Sequence, residues 1–204
     1  MFYHTRQTLI HTCALQVRRL RYGRPPKKVF CLGFQKTGTT SLQYALSLMG
    51  YRVTGIMDAN PYDTIEGLHT EALRLLPQFD AFADNPWPLY FREFDAIFPD
   101  AKFILTTRNP DQWYTSVCKH FGGSETKMRR WIYGAGSPLG NREVYVDRLR
   151  KHQEAVRNHF MDRSESLLEF DVSAGHGWNE LATFLGRPSP NRAFPKLNTA
   201  TMRS

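Results

Sequence analysis

Val29-Phe30-Cys31-Leu32-Gly33-Phe34-Gln35-Lys36-Thr37-Gly38-Thr39-Thr40-Ser41-Leu42 is the stretch whose reading decides the fold. Its first four residues are an unbroken apolar run, as a strand covered on both faces requires. From Leu42 the period changes: Leu42, Ala45, Leu46 and Met49 share one helical face, and Gly50 is placed to end that helix. Between strand and helix stand Gly33 and Gly38, five positions apart, with Lys36 inside the interval. Such a turn lets the backbone curl until successive N–H groups point inward, and the helix N-terminus adds partial positive charge, so the loop suits a phosphate-like anion. Against the triphosphate-binding pattern GxxxxGK[ST], both glycines and the hydroxyl are present, but Thr39 replaces the lysine, which has moved to Lys36. A cradle kept while its cation is relocated points to an anhydride other than the β,γ-phosphates of ATP. The competing reading is a glycine-rich turn with no ligand.

Outward from this stretch, apolar runs alternate with helical patterns. Strands are expected at Tyr51–Ile56, Phe79–Ala83, Lys102–Thr107 and Ser166–Phe170, with Lys102–Thr107 the clearest. Helices are expected where Ile65, Leu68, Ala72, Leu75 and Leu76 form a stripe stopped by Pro77, and after Asn109-Pro110-Asp111, which supplies a cap, a first-turn proline and a first-turn acid. A long helix carrying Tyr145, Leu149, His152, Val156 and Phe160 and a helix Trp178–Leu185 follow a looser stretch at Gly134–Gly140. This order predicts an α/β fold, a three-layer sandwich with a central parallel sheet joined by right-handed crossovers.

The chain has 204 residues, enough for one domain with a sizeable core, and we expect a basic N-terminal segment, 1–26, followed by a single domain, 27–204. The net charge of +8 is uneven: residues 1–57 hold nine Lys or Arg and no acid, and the rest is nearly balanced. That places an anionic ligand or surface near the N-terminal third rather than a basic coating, and disfavours nucleic acid; weak contact of the basic N-terminus with an anionic membrane is an alternative use. No apolar run spans a bilayer. Cys13, Cys31 and Cys118 are an odd, scattered set with neither disulfide nor zinc spacing, and the seven histidines lack metal spacing, so we expect no metal and a reducing, cytoplasmic setting. The Arg-rich, acid-free opening makes a targeting segment the minor alternative to a basic helix packed on the domain.

A second anion-binding element is Ile104-Leu-Thr-Thr-Arg108-Asn-Pro-Asp-Gln-Trp-Tyr-Thr-Ser116, a strand ending in arginine and a helix with a serine eight positions on. Together with Phe34-Gln-Lys-Thr-Gly-Thr-Thr-Ser-Leu42, it resembles the sulfotransferase family, whose members use 3′-phosphoadenosine 5′-phosphosulfate (PAPS) as sulfuryl donor. The first segment is similar to the family's PKxGTTxL loop, with Gln35 where Pro is common and Ser41 where cytosolic members often carry a Trp that stacks on adenine. The closing pattern, Gly177-Trp178, Phe184-Leu185-Gly186 and Phe194-Pro195-Lys196-Leu197-Asn198, is similar to that of the smaller members. The resemblance implies a P-loop NTPase-like sulfotransferase fold. It implies that Lys36, Thr37, Gly38, Thr39, Thr40 and Ser41 hold the phosphosulfate and that Arg108 and Ser116 hold the 3′-phosphate. Lys196 would add a cation to the nucleotide, unless it is simply solvated. Lys36 would also stabilise charge on the oxygen bridging phosphorus and sulfur.

Cytosolic members place a His about twenty residues before the 3′-phosphate Arg. Here the comparable stretch is Ala83-Asp84-Asn85-Pro86, which makes Asp84 the candidate general base; the other reading is a cap on the turn before Pro86. His152 and Asp58 are next in line, although His152 on its helical face reads mainly as packing. The expected function is transfer of a sulfuryl group from PAPS to a hydroxyl, or amine, of a small molecule or glycan, by in-line displacement without metal. The alternatives are a P-loop nucleotide or nucleoside kinase, disfavoured by the missing lysine and the lack of a strand-end Asp for Mg²⁺, and a noncatalytic nucleotide or polyanion binder.

Overall fold

The computed structural model describes residues 14–197. Five strands, β1 (Val29–Cys31), β2 (Val53–Thr54), β3 (Ala81–Phe82), β4 (Lys102–Thr106) and β5 (Leu167–Phe170), form one sheet in the order β2-β3-β1-β4-β5. Every pairing is parallel, with Phe30 opposite Phe82 on one side and Phe103 on the other. Helices cover both faces, so the expected α/β sandwich is the observed architecture. The strands are two to five residues long, shorter than their apolar runs.

Burial on both faces explains why the runs do not alternate with polar residues. Val29, Cys31, Ala81, Ala83, Ile104 and Phe170 face one layer, with Leu42, Ala45 and Leu46 of α2 (Thr39–Leu48) and Leu181 and Leu185 of α8 (Trp178–Leu185). Phe30, Leu32, Phe82, Phe103 and Leu105 face the other, under α3 (Ile65–Leu75), α4 (Phe91–Ile97) and α7 (Arg142–His159). There Phe30 stacks on Phe82 at 4.9 Å and on Phe103 at 5.5 Å, so one aromatic layer ties the three central strands together.

Local signals set the helix ends. Asn109 caps α5 (Pro110–Phe121), its side chain accepting from the amides of Asp111 at 3.0 Å and Gln112 at 3.2 Å. Pro77 ends α3 by opening a short 3₁₀ turn, Leu76–Gln78. Two elements were not anticipated, α4 and α6 (Lys127–Tyr133). Each buries a charge where a helical stripe should be apolar: Asp95, bonded to Arg163 and His159, and Arg129, spent on the carbonyls of Gly136 and Ser124. His120 lies in the last turn of α5.

Residues 14–22 are helical (α1) and pack on the amino edge of the sheet. Arg19 pairs with Asp80 at 2.5 Å, Arg18 donates to Ser47 O at 3.0 Å, and buried Arg187 donates to Tyr22 O, Gly23 O and Met49 O at 2.7 to 3.0 Å. Lys28 donates to Leu76 O and Phe79 O, both at 2.7 Å. Part of the early basic excess is therefore internal glue at the edge opposite the glycine-rich loop. Residues 1–13 of the basic segment and Asn198 lie outside the described residues. Among the described residues no helix is long and apolar enough to cross a membrane.

Candidate functional site

The loop between β1 and α2 is rooted directly on β4. A Cβ on Gly33 would lie 1.8 Å from Thr106 Oγ1 and 2.5 Å from Thr106 O, so only glycine allows this approach. Thr37 Oγ1 donates to Phe34 O at 2.6 Å and accepts from Thr106 Oγ1 at 2.6 Å, which pins the crest of the loop to the same strand. The Thr37 hydroxyl is thus spent inside the protein. Gly38, at φ 108°, turns the chain into α2, leaving Thr39 buried and Thr40 exposed on the first helical turn.

Among the described residues, only two that are not glycine have positive φ, and they are Lys36 and Asp84, each at 68°. Left-handed backbone costs a residue with a Cβ roughly 1–2 kcal/mol, and such strain gathers at functional sites. Asp84 follows β3, the neighbour of β1, and its Oδ2 accepts from Thr39 Oγ1 at 3.2 Å while Oδ1 accepts from the Asn85 amide at 2.8 Å. Asp84 therefore caps its turn and faces the glycine-rich loop at once. Burial raises its pKa; the Asn85 and Thr39 hydrogen bonds and the nearby Lys36 charge oppose that shift without cancelling it.

Arg108 follows β4, on the other side of β1. Its Nη1 donates to Lys36 O at 3.4 Å, and its Nε is buried with no partner. Three neighbouring strand ends, those of β3, β1 and β4, thus present Asp84, Lys36 and Arg108 at the carboxyl edge, where α/β sheets bind ligands. Ser116 is half-buried on α5 and makes no side-chain hydrogen bond among the described residues. Ser41 Oγ is buried and accepts from the Leu197 amide at 2.9 Å, which lays the C-terminal segment against the start of α2 and leaves Lys196 exposed beside it.

Behind the loop runs a polar chain that sequence reasoning missed. Asn85 Nδ2 donates to Gln35 Oε1, Gln35 Nε2 donates to Tyr133 Oη at 2.7 Å, and Trp113 Nε1 donates to Gln35 O at 2.9 Å. All four residues are buried, and Asn85 Oδ1 has no partner. The available signals were Gln35 at a position where proline is common and the polar residue before Pro86. His152, the fallback base, does not fit that role: its Nε2 donates to Leu32 O at 2.7 Å, its ring stacks on Phe34 at 4.3 Å, and burial lowers its pKa to about 4. Asp58 is exposed and its Oδ1 accepts from the Asn60 amide at 3.0 Å, a turn contact. No group of three or more His, Cys, Asp or Glu among the described residues could hold a metal ion.

A family model described as a sulfotransferase domain matches residues 28–141 and 125–202, covering strands, loop and site together. The chain belongs to the sulfotransferase family. Similarity extends to "Ava biosynthesis cluster protein M" from Aspergillus versicolor, 26% identical over 85% of this chain and 81% of that protein. In this sulfotransferase the residues expected from the two motifs are thus distributed over one sheet edge. Thr39 bonds Asp84, the Lys36 charge acts on the same carboxylate, Arg108 touches the loop from the other side, and Ser41 and Lys196 mark the C-terminal flank.

Proposed function

We propose that this sulfotransferase moves a sulfuryl group from PAPS to a hydroxyl, or amine, of a small-molecule or glycan acceptor by in-line displacement at sulfur. The observation that carries the reading is the pairing of the two left-handed residues, one a cation inside an anion cradle, the other a carboxylate with raised pKa beside it. The donor has anionic groups at two ends of a nucleoside, and the site offers two anion-binding elements on neighbouring strand ends. The cradle backbone of Gly33–Thr40 and Lys36 suit the 5′-phosphosulfate. Arg108, whose buried Nε lacks a partner and whose planar fork matches phosphate, suits the 3′-phosphate together with Ser116, while Ser41 belongs with the phosphosulfate loop and Lys196 would add a cation to the nucleotide.

In this reading Asp84 accepts the proton of the acceptor hydroxyl as its oxygen bonds to sulfur. The bond from sulfur to the bridging oxygen breaks, and Lys36 stabilises the negative charge left on that oxygen, which departs with adenosine 3′,5′-bisphosphate. Charge that grows only in the transition state is where a fixed cation accelerates reaction most. Isothermal titration with adenosine 3′,5′-bisphosphate and with ATP, each with and without Mg²⁺, tests the reading. Tight, metal-independent binding of the bisphosphate alone is expected. Mg²⁺-dependent ATP binding would instead indicate a kinase, and salt-labile binding of both without preference a general anion surface.

A further inference from the structure

The turns that carry Lys36 and Asp84 are joined in front and behind. In front, Thr39 Oγ1 donates to Asp84 Oδ2 at 3.2 Å. Behind, the side chain of Gln35, the residue before Lys36, accepts from the side chain of Asn85, the residue after Asp84. The front link uses the carboxylate that the acceptor hydroxyl must reach. As Asp84 takes up a proton it becomes a weaker acceptor, so this link loosens during transfer. The back link contains no reacting group and is shielded from water, with Gln35 5% and Asn85 2% exposed, so transfer leaves it unchanged.

Gln35 is itself fixed from two further elements. Its carbonyl oxygen accepts from Trp113 Nε1 of α5 at 2.9 Å, and its Nε2 donates to Tyr133 Oη, at the end of α6, at 2.7 Å. Tyr133 is held in turn: its ring stacks on Tyr145 of α7 at 4.0 Å and meets Phe34 edge to face at 5.7 Å. On the other side of Lys36, Thr37 is bonded to Phe34 O and to Thr106 Oγ1. Stability alone does not call for this arrangement. Apolar side chains of similar shape at positions 35 and 85 would fill the space without stranding Asn85 Oδ1, and such paired replacements can be neutral or stabilising. What a buried hydrogen-bonded chain adds over apolar contact is a fixed register. We propose that Gln35 is a positioning residue for sulfuryl transfer: anchored on Tyr133, it holds Asp84 and Lys36 in a constant relation through Asn85 while the front link weakens.

This rests on the PAPS reading of the site, and the test keeps the two apart. Gln35→Met keeps the length of the side chain but offers no amide, and Tyr133→Phe removes only the hydroxyl, keeping both ring contacts. Turnover with PAPS, counted per site titrated by adenosine 3′,5′-bisphosphate, should fall about tenfold to a hundredfold in Gln35→Met, the scale of loss when reacting groups are misplaced by up to an ångström, and by less in Tyr133→Phe. Affinity for the bisphosphate should stay within about threefold of the unaltered protein, a split that mere unfolding would not produce. The double variant should turn over no more slowly than Gln35→Met, because both changes cut one chain. A second readout needs no donor. The Asp84 carboxyl, followed by NMR and assigned with Asp84→Asn, should titrate closer to the ordinary aspartate value of about 4 in both variants than in the unaltered protein. A loosened turn lets water reach a carboxyl whose pKa burial raises against the Asn85 amide, the Thr39 hydroxyl and the Lys36 charge. Turnover within about twofold of the unaltered protein in both variants, turnover and bisphosphate affinity falling together, effects that multiply in the double variant, or an unmoved Asp84 titration each overturns the proposal. An unaltered protein that binds no bisphosphate would sink the donor reading instead, and the carboxyl titration would still decide whether Gln35 sets the place of Asp84. Should Gln35→Met fail to fold, Tyr133→Phe carries the same turnover, affinity and titration tests.

Discussion

Replacing Asp84 by Asn should move three measurements in directions that no purely structural role of this residue would combine. The substitution keeps the oxygen that accepts from the Asn85 amide, and the new NH₂ can meet the Thr39 hydroxyl, which is free to turn and accept. The turn should survive. Turnover should fall by a hundredfold to ten-thousandfold, the range for removing a positioned general base, which is about 2.7–5.4 kcal/mol at 1.36 kcal/mol per decade. Affinity for adenosine 3′,5′-bisphosphate should stay equal or tighten, because a carboxylate that repels an anionic ligand is gone while Lys36 remains.

Stability supplies the third sign. Asp84 has a raised pKa in the folded protein, so the native state holds its proton more tightly than the unfolded chain. As pH rises above the ordinary aspartate value of about 4, the native state therefore loses stability relative to the unfolded chain, and the loss is complete once pH passes the folded pKa. The Asn variant does not carry that burden. Its unfolding midpoint should equal that of the wild type in acid and rise above it at neutral pH, and its rate profile should lack the acidic limb on which wild-type turnover climbs as Asp84 deprotonates. Denaturant melts at pH 3.5 and pH 7.5 with a PAPS turnover assay decide the matter. Near-normal turnover, or a variant destabilised at neutral pH, would show that Asp84 serves only as a turn cap.

Lys36→Ala should lower turnover by roughly a hundredfold, about 3 kcal/mol, with a smaller loss of donor affinity, as single-turnover and titration measurements would show; turnover within a fewfold of wild type in a donor-binding mutant removes it as the catalytic cation. Arg108→Ala should weaken adenosine 3′,5′-bisphosphate by about 2 kcal/mol or more and adenosine 5′-phosphosulfate, which lacks the 3′-phosphate, much less; equal losses in titration exclude the assigned role. Gly33→Ala should destabilise the fold by about 1–3 kcal/mol, since the new methyl meets both the hydroxyl and the backbone oxygen of Thr106, and a melting temperature unchanged from wild type would refute that contact.

How much of this was legible in the sequence follows from which forces are local. The β1 and β4 runs announce themselves because both faces of a parallel strand are buried, and α5 and α8 begin where a cap or a glycine–tryptophan step is written in the chain. Helices α4 and α6 were hidden because Asp95 and Arg129 occupy their inner faces and are satisfied by residues distant in sequence or by carbonyls, which no local period encodes. In the site, Lys36 and Arg108 stood out by motif, and Asp84 by its place before Asn85-Pro86. That these three converge follows from the order β3-β1-β4, a long-range property of the sheet.

The strained pair also shows why the buried amides behind it matter. Gln35 immediately precedes Lys36, Asn85 immediately follows Asp84, and these two neighbours are hydrogen-bonded to each other. The two left-handed residues are thus joined through the side chains of their sequence neighbours, and Tyr133 and Trp113 anchor Gln35 in turn. Strain of about 1–3 kcal/mol per residue persists only when its surroundings over-determine it. A proline at position 35 would have no side-chain amide to offer Asn85 or Tyr133, so the glutamine accounts for a support that this chain has and a PKxGTTxL loop lacks. The same linkage leaves Asn85 Oδ1 without a partner, a cost of about 1–3 kcal/mol that the fold accepts in exchange for holding Asp84 against Lys36 from behind.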